Sequence, residues 1–235
     1  MDTMRPIYEK AVADAKAADT PEKRRGVGIA WGGFNVTEGG GDSAEVALEL
    51  MPGNKIRKYD TWHAMGQGAT TGSLVVTLEA LKEMHLTPED IQLIQNDTKT
   101  CPDTGMAGAS RSLYMDGNAT IIAANKLLAA MRKEDGTLRT YDEMKAEGIE
   151  TKYLGRYETN TTPGLCRLDP NTGIGDPTPA FTYCLNLAEV EVDTKTGKTT
   201  VLKFTCVDFV GRIGNIDAVN GQAYSGIMHL SLIHI

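Results

Sequence analysis

Three stretches of this chain gather small residues, amides and hydroxyls where an extended segment gives way to a helical one. The first is Trp62-His63-Ala64-Met65-Gly66-Gln67-Gly68-Ala69-Thr70-Thr71-Gly72. Its glycines let the backbone approach a ligand closely, and the free N–H groups of a helix start favour phosphate or oxo-anion oxygens. Gln67 adds an amide that both donates and accepts. The same residues also suit a tight turn with Thr70 or Thr71 as helix cap. The second stretch is Asn96-Asp97-Thr98 followed by Pro102-Asp103-Thr104-Gly105-Met106-Ala107-Gly108-Ala109-Ser110-Arg111. It repeats the arrangement, with Ser110 as a hydroxyl. Arg111 there is either a partner for an anion or a brace on a carboxylate such as Asp97 or Asp103. Bracing is the better expectation, because a cation in a helix's first turn opposes the local dipole. The third is Asp208-Phe209-Val210-Gly211-Arg212-Ile213-Gly214-Asn215, seven residues ahead of Gln222, where Asn215 and Gln222 offer amides. A bend and a helix start explain any one of these loops. Three in one chain point to a shared, elongated, phosphate-bearing ligand. The glycines of the first loop are spaced one residue too widely for a dinucleotide-binding fingerprint, which argues against a nicotinamide dehydrogenase.

The elements that position these loops are legible from periodicity. Residues 4–18 carry helical spacing (Met4, Ile7, Tyr8, Ala11, Val12, Ala15), and Lys23-Arg24-Arg25-Gly26 ends that unit. Gly26–Val36 alternates as a strand, the Gly39-Gly40-Gly41-Asp42 turn follows, then Ala44–Leu50, Pro52-Gly53-Asn54 and Lys55–Trp62. These segments read as a small antiparallel meander. Ser73–Met84 is helical, Thr87-Pro88-Glu89-Asp90 is a helix-start or turn signal, and Ile91–Ile94 is a short strand. A long helix is expected over Ser110–Arg132 and a short one over Tyr141–Gly148. Residues 155–178, rich in Gly, Pro, Thr and Asn, read as an extended surface segment. A hairpin runs Tyr183–Val192, turns at Asp193–Gly197 and returns over Thr200–Val207, with Glu189 and Glu191 on its solvated face. The expected fold class is α+β, a mixed α/β arrangement of antiparallel meanders and hairpins packed with helices.

Composition narrows the function class. With 235 residues the chain is long enough for a substantial core, and 41% hydrophobic with 23% charged residues is ordinary for a globular protein. A net charge of −7, from 31 acidic and 24 basic residues, argues against nucleic acid or an anionic membrane as partner. No run is long enough to span a membrane, and Met1-Asp2-Thr3-Met4-Arg5 lacks a signal-peptide core. Cys101, Cys166, Cys184 and Cys206 are far apart and contain no C-x-x-C pair. That spacing fits neither a disulfide framework nor a metal site, so the expected compartment is the cytoplasm. Leu230-Ser231-Leu232-Ile233-His234-Ile235 is an apolar ending without cap or charge. It resembles a translated sequencing adapter, so residues 230–235 read as a non-native tail on a fragment, the alternative being a short tail docked on the body.

Taken in order, these segments resemble the molybdenum hydroxylase (xanthine oxidase/aldehyde oxidoreductase) family, and within it the bacterial flavin-free aldehyde oxidoreductases. The matching strings are Lys23-Arg24-Arg25-Gly26-Val27-Gly28-Ile29-Ala30-Trp31-Gly32-Gly33, Gly66-Gln67-Gly68-Ala69, Pro102-Asp103-Thr104-Gly105 and Ala109-Ser110-Arg111. They continue through Gly117-Asn118-Ala119, Ala188-Glu189-Val190-Glu191-Val192-Asp193 and Asn215 to Gln222, so that residues 1–229 correspond to a partial molybdopterin-binding domain.

The resemblance implies a molybdenum-molybdopterin cytosine dinucleotide cofactor. Gln67, Gly68, Ala69 and Thr70 would lie on its pterin side. Ala107, Gly108, Ala109 and Ser110 would lie at its phosphate or nucleotide part, and Asn215 and Gln222 would close on it. Met65 stands where relatives can carry a histidine, and a thioether cannot replace an imidazole donor. The resemblance further implies an aldehyde substrate oxidised to a carboxylic acid, with 2Fe-2S clusters of a separate iron–sulfur domain or subunit as electron acceptor. The full-length protein would be a homodimer. The metal would be held by the cofactor and not by side chains. The catalytic glutamate would come from a Gly-Val-Gly-Glu stretch, a string that does not occur among these residues. Two other readings stand beside this one: a stand-alone molybdopterin-binding or carrier module, and a hydroxylase of purines or other N-heterocycles.

Overall fold

Along the chain run α1 (Met4–Ala17), β1 (Lys23–Val36), β2 (Ser43–Met51), β3 (Lys55–Asp60), α2 (Ala69–Ala80) and β4 (Ile91–Gln95). They are followed by α3 (Ser112–Met131), α4 (Tyr141–Ala146), β5 (Lys152–Glu158), β6 (Ala180–Asp193), β7 (Thr199–Phe209) and α5 (Ile216–His234). The structure is a computed structural model that describes residues 4–36, 41–159 and 168–234, with side chains as far as residue 229. Gly39 and Gly40 of the Gly39-Gly40-Gly41-Asp42 turn, Cys166 and the side chains of the apolar ending lie outside the described residues. Two units divide the chain, Met1–Phe34 with Phe181–Arg212, and Asn35–Ala180 with Ile213–Ile235.

The larger unit is built on a four-stranded sheet in the order β4-β3-β2-β5. Alternation in β2 buries Ala44, Val46, Leu48 and Leu50 on one face. β2 and β3 form an antiparallel hairpin in the register Ala47↔Tyr59 to Met51↔Lys55. β4 lies parallel to β3, from Ile56↔Ile91 to Asp60↔Gln95, with α2 as the crossover. β5 completes the sheet antiparallel to β2. α3 lies across β2 and β5 and packs beside α2. Leu48, Leu50, Ile56, Leu81, Leu127 and Met144 form the main core beneath them. α3 meets the sheet through small residues (Ala119, Ala123) because its backbone comes against Gly155. A Cβ at Gly155 would lie 2.0 Å from the Ala119 carbonyl oxygen and 2.5 Å from the Ala123 nitrogen.

The smaller unit is a three-stranded sheet in the order β1-β6-β7. β6 and β7 pair antiparallel, Tyr183↔Phe209 to Val192↔Thr199, with an irregularity at Glu189/Val190. α1 covers part of one face, where Met4, Ala11 and Leu187 are buried with Ile7, Tyr8, Val27 and Leu185 against them. Trp31, Phe181, Tyr183 and Phe209 remain exposed.

The mixed α/β class holds, and four details of the expectation are corrected. β1 does not join β2 and β3 in a meander but pairs with β6, where Gly32 and Gly33 admit Cys184 and Tyr183, 3.1 and 3.3 Å from where their own Cβ atoms would be. Alternation fixes a strand's two faces, not its partner. β4 is parallel to β3, so the larger unit contains a β-α-β crossover. The start of the supposed surface segment, residues 155–158, is the second half of strand β5, hidden in the sequence by the Gly, Pro, Thr and Asn content of the stretch it opens. Glu191 is not solvated: Lys23 Nζ and Arg25 Nε hold it at 2.7 and 3.0 Å and its side chain is 15% exposed, while Glu189 faces Lys203.

Three charged side chains lie wholly inside the larger unit. Lys58 Nζ is 2.6 Å from Asp116 Oδ1 and 3.3 Å from Asp60 Oδ2, and all three side chains have no exposed surface. Burial pushes the Asp116 carboxyl up to about 6; Lys58 pulls it down and Asp60 pushes it up.

Two outcomes follow from this packing. Gly155→Ala should destabilise the larger unit by more than ~3 kcal/mol, because backbone and not a flexible side chain must give way. Gly221→Ala, in an open stretch of α5, should be neutral or stabilising by up to ~1 kcal/mol. Urea unfolding of both variants checks the contrast. The second outcome concerns acid. An unfolded aspartate titrates near 4. Between that value and about 6 the folded chain keeps a proton on Asp116 that the unfolded chain has lost. The contribution of Asp116 to stability therefore falls as pH rises across that window, by on the order of 2–3 kcal/mol. Asp116→Asn should remove this component, read as the difference between wild-type and variant urea midpoints at about pH 4 and about pH 7.

Candidate functional site

The parallel pairing of β3 and β4 ends at Asp60↔Gln95, and from those neighbouring strand ends the chain leaves into residues 61–68 and 96–111. Each segment enters a helix, the first α2 and the second α3, and the two helices pack side by side. The first two predicted loops therefore share one edge of one sheet, the place where ligands of parallel sheets with crossover helices collect. A reciprocal pair of bonds joins their roots. Thr61 N–H donates to Thr104 Oγ1 at 2.9 Å, and Thr104 N–H donates to Thr61 Oγ1 at 3.0 Å. Thr104 Oγ1 in turn donates to the Glu45 carbonyl on β2. A shallow concavity bordered by Met51, Pro52, Lys55 and Glu89 lies at the opposite end of β3 and β4.

In the first loop neither Thr70 nor Thr71 caps the helix. Gly68 occupies the cap position at φ 84°, no side chain caps α2, and Thr70 is exposed in its first turn. Gly66, at φ 102°, also needs the left-handed freedom of glycine. Ala69, the first residue of the helix, is buried. Gln67 turns back on its own loop: its Nε2 donates to the His63 carbonyl at 2.8 Å and its Oε1 accepts from Met65 N–H. Met65 itself is exposed.

The second loop is held by Arg111, which is 4% exposed and is not the surface arginine a simple cap would leave. All five of its N–H groups are used. Nε and Nη2 grip Asp42 at 2.7 and 2.8 Å, Nη1 reaches the Thr104 and Met106 carbonyls, and Nη2 also reaches that of Ser43. Bracing is thus the role observed, but the carboxylate is Asp42. The two expected partners are engaged locally, Asp97 by Lys99 N–H and Thr100, Asp103 by Gly105 N–H. Ala107 and Gly108 are half-buried, and Ala109 and Ser110 are exposed at φ 47° and 53°. Two successive non-glycine residues in the left-handed region cost about 1–2 kcal/mol each. They turn the chain into α3, which also begins without a side-chain cap.

The third loop behaves differently. Asn215 Oδ1 accepts from Ala218 N–H at 3.0 Å and so caps α5 itself. A Cβ at Gly214 would lie 3.8 Å from Val75 on α2. Gln222 is exposed on the second turn of α5.

Sequence reasoning overlooked what lies beneath the first two loops. Asp60, at the end of β3, accepts from Trp62 N–H, Gln95 Nε2 and Ser73 Oγ, at 3.3, 2.7 and 2.6 Å. With Lys58 and Asp116 it anchors loop and helices together. The available signal was opposite charges at core positions: Lys58 and Asp60 share the inward face of β3 with Ile56, and Asp116 lies on the buried stripe of α3.

A family model described as a molybdopterin cofactor-binding domain matches residues 4–229. The aldehyde oxidoreductase of Megalodesulfovibrio gigas is 37% identical over 227 residues, 97% of this chain and 25% of the relative. The carbon monoxide dehydrogenase large chain of Hydrogenophaga pseudoflava is 27% identical over 207 residues, 79% of this chain and 24% of the relative. The crystal structure of the aldehyde oxidoreductase from Desulfovibrio desulfuricans superimposes with a TM-score of 0.89 at 40% identity, covering 96% of this chain and 24% of that one. The chain thus spans about a quarter of the length of these relatives. Paired helix starts on one sheet edge, glycines at left-handed positions and these matches agree: the chain belongs to the molybdopterin cofactor-binding domain family of molybdenum hydroxylases.

Proposed function

We propose that this chain forms part of the cofactor cradle of a molybdenum-dependent aldehyde oxidoreductase, binding molybdenum-molybdopterin cytosine dinucleotide. The observation that carries the reading is the pair of helix N-termini, α2 and α3, which open without side-chain caps from adjoining parallel strand ends. Such ends carry partial positive charge and unpaired N–H groups, and they suit the phosphates and polar pterin edge of this cofactor.

Gly68, Ala69 and Thr70 at the start of α2 would hold the pterin side through backbone N–H groups, with Gln67 keeping the loop in shape. Ala107, Gly108, Ala109 and Ser110 would hold the phosphate or nucleotide side. Asn215 and Gln222 are assigned a closing role, Asn215 through its backbone and remaining amide capacity. When bound, the molybdenum group supplies the two-electron oxidation of the aldehyde carbon, with water as the oxygen source. This chain contributes placement: Arg111 and Asp42 fix the second loop, and Thr61 and Thr104 fix the spacing between the loops. Its carboxylates Glu189 and Glu191 are engaged by cations, so the proton-accepting role is assigned to the Gly-Val-Gly-Glu glutamate of the family. Electrons would leave to 2Fe-2S clusters in an iron–sulfur domain or subunit. Among the described residues no helix is long and apolar enough to cross a membrane, and the proposed setting is the cytoplasm, on the cysteine spacing.

The decisive experiment expresses the chain in cells that make the cofactor and measures molybdenum by elemental analysis and released cytosine nucleotide. Both should copurify with the wild-type chain. Thr70→Asp places a carboxylate where a phosphate or pterin oxygen would sit. It should leave folding stability unchanged or raise it by the ~0.3–1 kcal/mol an acid adds at a helix start, and lower molybdenum content about tenfold or more. Full cofactor content in that variant would refute the role of the α2 terminus.

A separate outcome concerns the brace. Arg111→Lys keeps the charge but not the fork, leaving Asp42 or the Thr104, Met106 and Ser43 carbonyls without donors. It should cost about 3–5 kcal/mol. Amide exchange should rise first in residues 104–110, which a hydrogen-exchange map would detect.

A further inference from the structure

Lys58, Asp60 and Asp116 lie under the start of the Trp62–Gly68 loop, between the two helices whose N-termini form the candidate site. Asp60 ties four parts of the unit together: Lys58 on β3, Gln95 on β4, Ser73 on α2 and the N–H of Trp62 in the loop. Asp116 is joined to it through Lys58, and accepts also from Thr120 Oγ1 at 3.3 Å. Asp116 Oδ2 and Trp62 Nε1 are buried polar atoms with no hydrogen-bond partner among the described residues. Two carboxylates thus share one ammonium, an excess of one negative charge out of reach of water. The cluster stands close to both helix starts. Ser73 is the fifth residue of α2 and Asp116 the fifth of α3, each about 6 Å along its axis from the helix's first residue.

We propose that Asp60 is the positioning residue of the Trp62–Gly68 loop and of α2, and that proton uptake by Asp116 sets how firmly it holds them, coupling anion binding at the two helix N-termini to protonation. The coupling rests on reading those N-termini as phosphate sites; the positioning role does not. With Asp116 ionised, Lys58 is divided between two carboxylates and sits closer to Asp116. Once Asp116 is neutral the ammonium is left to Asp60, and the excess negative charge behind both helix starts is gone. An incoming phosphate is then opposed less, so binding and proton uptake favour each other.

The charged groups that act on Asp116 are Lys58 and Asp60 of β3, and burial lifts its carboxyl into the range where the switch can operate. From the other elements packed around the cluster, α2 brings Ser73, β4 brings Gln95, and β2 and β5 meet α3 through Ala44, Val46 and Gly155, all uncharged. Exposed His63 adjoins Trp62 in the chain and sets a second ionisable side chain beside the reporter, so the test removes it.

The chain has two tryptophans, and Trp31 is exposed, so Trp31→Phe with His63→Gln leaves Trp62 as the sole indole reporter beside Asp60. Without any ligand, Trp62 emission should titrate with a midpoint near 6. Asp116→Asn should abolish that transition. Thr120→Val, isosteric and lacking a donor to the ionised carboxylate, should move it upward by about half a unit to one unit. In the same chains, calorimetric affinity for cytidine diphosphate choline, whose phosphate diesters do not titrate in this range, should be about three- to tenfold higher at about pH 5 than at about pH 8. It should be level across pH in Asp116→Asn. No Trp62 transition, or one unmoved by both substitutions, overturns the proposal. A transition that responds to them without cytidine diphosphate choline binding at any pH supports the positioning role and removes the phosphate reading of the helix starts. Binding that is independent of pH overturns the coupling while leaving that reading intact.

Discussion

The parallel contact between β3 and β4 is the constraint on which the rest of the larger unit depends. Because those strands run the same way, their ends lie together, and the segments that follow them must start as neighbours. A crossover helix is the physical means of reversing direction between parallel strands, so α2 is a direct consequence of that pairing. Asp60↔Gln95, the last pair of the ladder, is also where side-chain bonding takes over from backbone bonding, through Gln95 Nε2 and Asp60 Oδ1.

The two loops are then stabilised by different means. The second is held from within by a buried guanidinium with every donor satisfied, a rigid arrangement that tolerates the left-handed backbone at Ala109 and Ser110. The first is held from below by a carboxylate, and at its tip only by the folded-back amide of Gln67. Loop 96–111 is therefore a fixed wall and loop 61–68 the more adaptable one.

Much of this was legible in the sequence, for identifiable reasons. Helices α1, α2 and α3 and the β6–β7 hairpin follow from apolar spacing, which is a local property. The glycines of the first loop and the small residues of the second also announced themselves locally. Partners across the chain did not. Nothing in Asp42 marks it as the mate of Arg111, sixty-nine residues on, and nothing in β1 says that it will pair with β6 and not β2. Residues 155–158 read as the start of a surface segment because the close approach that Gly155 permits is visible only from the helix on the other side. Asn215 offered an amide, and the nearest unpaired N–H groups, those of its own helix, claimed it. Lys58 and Asp116 were passed over because each looks like an isolated polar interruption until the fold sets them 2.6 Å apart.

The order of the chain has a consequence for how the protein is made. The smaller unit is assembled from two separate parts of the sequence, and roughly 140 residues lie between β1 and the strand it pairs with. At a synthesis rate of about 5–20 residues per second, β1 emerges from the ribosome on the order of ten seconds before β6 exists. Through that interval an edge carrying Ile29, Trp31 and Phe34 has no strand beside it, while the larger unit can already be forming behind it. Lys23-Arg24-Arg25 at the head of β1 are well placed to guard that waiting edge, since clustered positive charge repels other copies of the same strand until Glu191 arrives to neutralise it.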